Sequence, residues 1–257
     1  MVVAGVPVGL LERVRHAELE AVAAWFESGQ RVLELGAGSG YQASLLEARG
    51  CDVTAFEVSR HYRERRSHFP VQEYDGKTIP LPDSSVDRIF TSHVLEHVDP
   101  LSPFLEETRR VMKPDAAAIH IVPSATWRIW TSLAHYPFVA KALIARDSAD
   151  SLVNVRSARD AVHRHGVARG IIKAIMHPLA PHGSHRSAAA EVEAFSRRRW
   201  ADVFSQNGFA VVDAQSSHIF YTGYGLLTKM PLAWRRRMAD LLGSSSHAFV
   251  VRNEKSR

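Results

Sequence analysis

The 257 residues are 46% apolar and 23% charged, which excludes a disordered or collagen-like chain and fits a globular protein with a substantial core. No run of eighteen uncharged apolar residues occurs, so no membrane-spanning helix is predicted. The net charge of +5 is uneven: residues 1–125 carry 13 Lys and Arg against 18 acids, net −5, and residues 126–257 carry 19 against 9, net +10. A basic half meets something anionic or presents a solvated face. The single cysteine, Cys51, permits neither an internal disulfide nor a cysteine zinc site, and the opening residues lack the basic lead of a secretory signal. The expectation is a cytoplasmic protein.

In chain order, the apolar spacing of Leu11, Val14, Leu19, Val22 and Phe26 predicts a helix over Leu10 to Glu27. Arg31 to Leu35 reads as a short buried strand, Tyr41 to Arg49 as a helix closed by Gly50, and Asp52 to Phe56 as a second strand. A charged helix is expected from Ser59 to Ser67, then strands at Val71 to Tyr74 and Val86 to Ser92. A helix from Pro103 to Met112, stopped at Lys113-Pro114-Asp115, precedes a strand at Ala117 to Val122. Strands alternating with helices imply parallel pairing and right-handed crossovers.

After Pro123 the rhythm breaks, and residues 124–195 show no clear strand. Helices are expected at Trp127 to Ala145 and at Asp160 to Met176, and a loop from Pro178 to Ser187. Ser196 is placed to cap a helix ending at Asn207-Gly208, and Phe209 to Asp213 and His247 to Arg252 read as the last strands. The predicted architecture is α/β: a Rossmann-like, seven-stranded, mostly parallel sheet with helices on both faces and a helical insertion after the fifth strand. The whole chain, 1–257, is read as a single domain. Residues 30–122 form its cofactor half, 124–195 a helical cap, and 196–257 the closing helix and strands.

The loop after the first strand, Glu34-Leu35-Gly36-Ala37-Gly38-Ser39-Gly40, lies where α/β sheets bind ligands. A dinucleotide site wants Gly-x-Gly-x-x-Gly, but the third position falls on Tyr41. That argues against a nicotinamide-dependent oxidoreductase. The acid two residues before Gly36 has no use beside a diphosphate and suits a cationic cofactor.

Val32 to Gly40 resembles the first motif of class I S-adenosylmethionine-dependent methyltransferases, and the likeness runs at matching spacing over about residues 30–122. Pro80 to Asp87 and His93-Val94-Leu95-Glu96-His97-Val98 resemble the branch called methyltransferase type 11, while Asp115 and Ala116 replace the glycines of its Lys-Pro-Gly-Gly turn. The resemblance implies S-adenosyl-L-methionine as cofactor, with a binding set of Glu34, Gly36, Ala37, Gly38, Gly40, Glu57, Val58, Asp75, Gly76 and His93. Within it, Glu34 would face the amino group. Glu57, 17 residues past Gly40, would take both ribose hydroxyls. Asp75 with the Gly76 N–H would read the adenine, and His93 would line the methionyl part. Glu96 and His97 are read either as a capping pair or as functional groups.

The sulfonium methyl is already activated, so the protein chiefly aligns an acceptor, and a base is needed only for a poorly nucleophilic one such as a hydroxyl. Candidate bases are His93, His97, His182 and His185, and no spacing singles one out. Residues 126–190 hold nine Lys and Arg against three acids, with Trp127, Trp130, Tyr136 and Phe138. That composition suits an anionic acceptor with an apolar or ring portion, and together with the family resemblance it implies a small-molecule or glycan-type acceptor, lipid-linked ones included, methylated at oxygen. It also fits a helix-packing core with surface arginines. No metal site is expected. The runs Arg197–Arg199 and Arg235–Arg237 are read as solvated helical faces rather than a nucleic-acid surface. Ile219 to Leu227 is read as buried core, with peripheral membrane contact as its other use. The alternative to an enzyme is a non-catalytic adenosyl- or RNA-binding protein that keeps the fold.

Overall fold

The computed structural model describes residues 2–3, 6–58, 67–144, 187–224 and 227–254. The expected helices at Ser59 to Ser67 and Asp160 to Met176 lie outside these residues, except for Ser67. So do His182 and His185. The chain divides into two compact units. One comprises Arg15–Pro123, Arg197–Ser217 and Ser246–Arg257, the other Met1–Val14, Ser124–Ser196 and His218–Ser245.

The first unit carries a seven-stranded sheet: β1 Arg31–Leu35, β2 Asp52–Glu57, β3 Gln72–Glu73, β4 Val86–Ser92, β5 Met112–Pro123, β6 Phe209–Ser216 and β7 Ser246–Asn253. Their order is β3-β2-β1-β4-β5-β7-β6. The first five pair in parallel, and β7 runs antiparallel to both β5 and β6. The order reverses between β1 and β4, which opens a crevice at their carboxyl ends. This is the doubly wound, mostly parallel sheet that the sequence predicts.

Strand alternation sorts the core into two layers. Ile119, Ile121, Ala248 and Val250 join Leu19 of α1 (Val8–Ala21), Val22 just past its end and Leu46 of α2 (Tyr41–Ala48) in one cluster. The residues between them, His120 and Phe249, face the other way and pack on Phe204 at 5.1 and 5.4 Å between centroids. Phe204 belongs to α6 (Arg197–Gln206), so helices cover both faces. His120 is fully buried there, and burial drives its pKa down to about 3. A neutral ring is what a core stacked on phenylalanine tolerates.

Boundaries differ from the expected ones for local reasons. The first helix ends at Ala21, and a short 3-10 turn at Ala23–Trp25 takes the chain on to Phe26. α3 runs Leu101–Val111, burying Phe104, Leu105, Thr108 and Val111 along one stripe. Lys113-Pro114 ends that helix and also opens β5, because the residue before a proline is confined to extended backbone.

In the second unit, α4 (Ala125–Ile144) includes Pro137, and α5 (Ala188–Ala194) is capped by Ser187, whose Oγ accepts the Ala190 N–H. Arg128 pairs with the buried Glu191 at 2.6 Å, tying α4 to α5. The connection between the last two strands contains α7 (Leu232–Leu242), so the Arg235–Arg237 run lies on a helix as expected. Ile219, Phe220, Tyr221 and Tyr224 are buried. Arg197–Arg199 are exposed as expected, and so are Arg236 and Arg237, but Arg235 is buried. Its position on α7, four residues from buried Ala239, turns it inward. No helix among the described residues is long and apolar enough to cross a membrane.

Candidate functional site

Every residue expected at the carboxyl ends of β1 to β4 lies in the first unit, and the glycine loop organises them. Gly36 and Ala37 donate to the Phe56 carbonyl at 2.9 and 3.1 Å, which fixes the loop to the end of β2. Gly36, Gly38 and Gly40 all have positive φ, +72, +56 and +73°. A β-carbon on Gly36 would fall 2.3 Å from Val94 Cγ2, and one on Gly40 2.7 Å from Phe69 Cβ. On Gly38 it would meet nothing within 4 Å. Two glycines are required by packing, and the middle one faces open space.

Glu57 closes on this loop. Its Oε2 accepts the Gly38 N–H at 2.9 Å and its Oε1 the Val58 N–H at 2.7 Å. Each oxygen keeps a further lone pair for a hydroxyl donor. Val58 is half-exposed and stands 3.0 Å from where a Gly76 β-carbon would lie. Asp75 is exposed, and its Oδ1 takes the N–H groups of Lys77 and Thr78 at 2.8 Å each, so it also shapes its own turn.

Glu34 is 2% exposed, and its Oε2 has no hydrogen-bond partner. Burial pushes its pKa up to about 8, and the neighbouring Glu57 adds to the rise, against a backbone hydrogen bond at Ala43. The loop thus holds a buried, under-satisfied acid beside a second acid, facing no described cation. A cationic amino group would relieve both deficits, which is the fit expected for S-adenosylmethionine.

His93 follows β4 in left-handed backbone, φ +56°. Its N–H donates to the Ile121 carbonyl at 2.8 Å, and the adjacent Val94 is the residue packed on Gly36. The ring lies between two buried carboxylates, Glu18 at 3.1 Å from Nε2 and Glu96 at 3.5 Å from Nδ1. Burial and Arg15 pull its pKa down, but Glu18 and Glu96 outweigh them and raise it. Glu18 also binds Arg15 at 2.6 Å and accepts the Ser246 hydroxyl. Burial would raise its carboxyl, yet Arg15 and His93 hold it well below the usual range. His97 lies in the 3-10 turn Leu95–His97, half-exposed, 3.9 Å from Glu96.

Arg15, Glu18 and Ser246 are absent from the expected set. A signal for one of them is present: Glu18 stands four residues from both Val14 and Val22, in the middle of the apolar stripe of α1. Among the described residues no cluster of three or more His, Cys, Asp or Glu side chains is placed to hold a metal.

In sequence and in fold the chain is similar to known methyltransferases. A probable S-adenosylmethionine-dependent methyltransferase of Mycolicibacterium smegmatis is 33% identical over 102 residues, 38% of this chain and 39% of that protein. The malonyl-[acyl-carrier protein] O-methyltransferase of Serratia marcescens is 31% identical over 90 residues, 34% of this chain and 35% of that one. The chain therefore spans about two fifths or less of these relatives' length. The crystal structure of a SAM-dependent methyltransferase from Archaeoglobus fulgidus has the same fold, with TM-score 0.55, 16% identity and 94% of each chain covered. A family model described as a methyltransferase domain matches residues 10–165, more than half of the sequence, and the chain belongs to that methyltransferase family.

Proposed function

We propose that this protein transfers a methyl group from S-adenosyl-L-methionine to a small-molecule or glycan-type acceptor, at oxygen. Bound S-adenosylmethionine supplies a methyl on a sulfonium, already activated for displacement. The chain's residues bind, orient and exclude water. Glu34 holds the amino group. Gly36, Ala37, Gly38 and Gly40 admit the ligand to the backbone. Glu57 takes the ribose hydroxyls, and Val58, Asp75 and Gly76 receive the adenine. His93, with a carboxylate on each nitrogen and a raised pKa, serves as a positively charged brace at the methionyl end rather than as a base. His97, whose ring is half-exposed, is the described histidine suited to take a proton from an acceptor hydroxyl. The O-methyltransferase among the relatives supports an oxygen acceptor.

The observation that carries this reading is the buried carboxyl of Glu34 with an unpartnered oxygen and a pKa near 8. At pH 7 such a group is mostly protonated and must ionise to pair with an ammonium. Cofactor binding at pH 7 should therefore expel close to one proton, read by calorimetry in buffers of different ionisation enthalpy. Glu34→Gln should bind more weakly and release none. Binding with no proton release by the unaltered protein would count against the assignment. Turnover of labelled cofactor with a metabolite extract separates an enzyme from an adenosyl-binding protein that lacks activity.

A further inference from the structure

The second unit contains a cavity of about 250 Å³, lined by Trp130 and Ala134 of α4, by Phe220 and Tyr221, and by Met238 and Leu242 of α7. Its mouth is apolar as well, with Leu133 and Leu227 both more than half exposed. One charged residue belongs to this wall. Arg235 is 2% exposed. Its Nη1 donates to the Phe220 carbonyl at 3.1 Å and its Nη2 to the Leu227 carbonyl at 2.5 Å. Its Nε is buried without an acceptor. No ion pair joins it to a carboxylate among the described residues. Burial first, and then the like charge of Arg13, lower its pKa.

A buried cation with carbonyls for partners and a second cation as its electrostatic neighbour is an expensive arrangement in a low-dielectric wall. It becomes favourable when an anion completes it. We propose that this cavity binds a small amphiphilic carboxylate, its ring or short chain on the aromatic and aliphatic wall and its charge balanced by Arg235. Each terminal nitrogen of the guanidinium gives one hydrogen to a carbonyl and keeps a second for a carboxylate oxygen. The volume equals about eight waters at ~30 Å³ each, room for one ring or a short chain. An uncharged glycan offers neither the charge nor the apolar surface.

The test is calorimetric titration of the full chain with octanoate, octylamine and octanol. Octanoate should bind saturably at one per chain, octanol more weakly, and octylamine not at all. Arg235→Gln should weaken octanoate by roughly 10- to 100-fold, the scale of a lost charged hydrogen bond, and leave octanol unchanged. If that variant does not fold, Leu133→Trp at the exposed mouth should abolish octanoate binding without lowering the thermal midpoint. Equal binding of octanoate and octylamine, or unchanged octanoate affinity in Leu133→Trp, would overturn the proposal. So would octanoate failing to bind while the chain partitions onto phosphatidylcholine vesicles. S-adenosylmethionine affinity measured on the same samples reports on the cofactor reading separately, since octanoate binding requires no methyl transfer.

Discussion

Alanine at Gly38 and alanine at Gly36 pull apart two reasons for keeping a glycine. Both residues sit at positive φ, +56 and +72°, where an L side chain costs about 1–2 kcal/mol. The two sites then diverge. A β-carbon on Gly36 overlaps Val94 Cγ2 at 2.3 Å, whereas one on Gly38 meets nothing within 4 Å. Val94 is β-branched and has few rotamers to retreat into, so overpacking adds about 1–3 kcal/mol at Gly36 alone. Gly38→Ala should lose about 1–2 kcal/mol of stability, and Gly36→Ala about 2–5 kcal/mol. Cofactor affinity should tell the other half. The new methyl on residue 38 projects into the open space beside the N–H that Glu57 binds, where the ligand is proposed to lie. Gly38→Ala should therefore weaken S-adenosylmethionine at least ~10-fold, about 1.4 kcal/mol. Urea unfolding followed by tryptophan fluorescence reads the first quantity and calorimetry the second. The double variant Gly36→Ala/Val94→Ala should recover the overlap but not the backbone strain. Wild-type cofactor affinity in Gly38→Ala would refute the claim that this space is the ligand's. Equal stability of the two single variants would refute the packing argument.

Other perturbations probe the acids around the same loop. Glu57→Ala should weaken the cofactor by about 1–3 kcal/mol, the scale of charge-assisted bonds to hydroxyls, again by calorimetry. Glu34 has a folded pKa of about 8 against 4.5 for the free side chain, so the folded state holds the extra proton between those values. Its contribution to stability thus falls as pH rises through that window. Glu34→Gln should flatten the decline between pH 5 and 8 by about 2–4 kcal/mol in urea unfolding, and an unchanged slope would contradict the burial argument. Glu18→Gln breaks a buried network and should cost about 3–5 kcal/mol near pH 6. His93, its folded pKa raised, contributes stability that is present below the ordinary histidine value and lost as pH climbs through the folded one. In Glu18→Gln that loss should move to lower pH, as should the ring's NMR titration.

What the sequence makes legible depends on whether a residue's task is set by its neighbours in the chain or by elements far away. The glycine loop is legible because its need is local: a strand must turn into a helix within a few residues, and positive φ writes itself as glycine. The acids at 34, 57 and 75 follow, because strand ends in a parallel sheet share one rim. The brace on His93 draws on α1, β4, the turn after β4 and the start of β7, so that Glu18 and Ser246 meet across 228 positions of sequence. No spacing rule reaches that far. Composition misleads in the Arg235–Arg237 run, since three adjacent arginines read as solvent-facing. A helix turns about 100° per residue, so a run of three spans about 200° and need not face solvent throughout, as Arg235 shows. Counting from Arg235 finds Met238, Ala239 and Leu242 at the third, fourth and seventh positions, an apolar stripe with a guanidinium at its head. The same count on α1 finds Glu18 between Val14 and Val22. In both helices the charge sits on the apolar stripe, where burial is costly unless something answers it. Glu18 is answered by Arg15 and His93. Among the described residues no carboxylate answers Arg235, and that difference assigns the first to the brace and the second to a ligand.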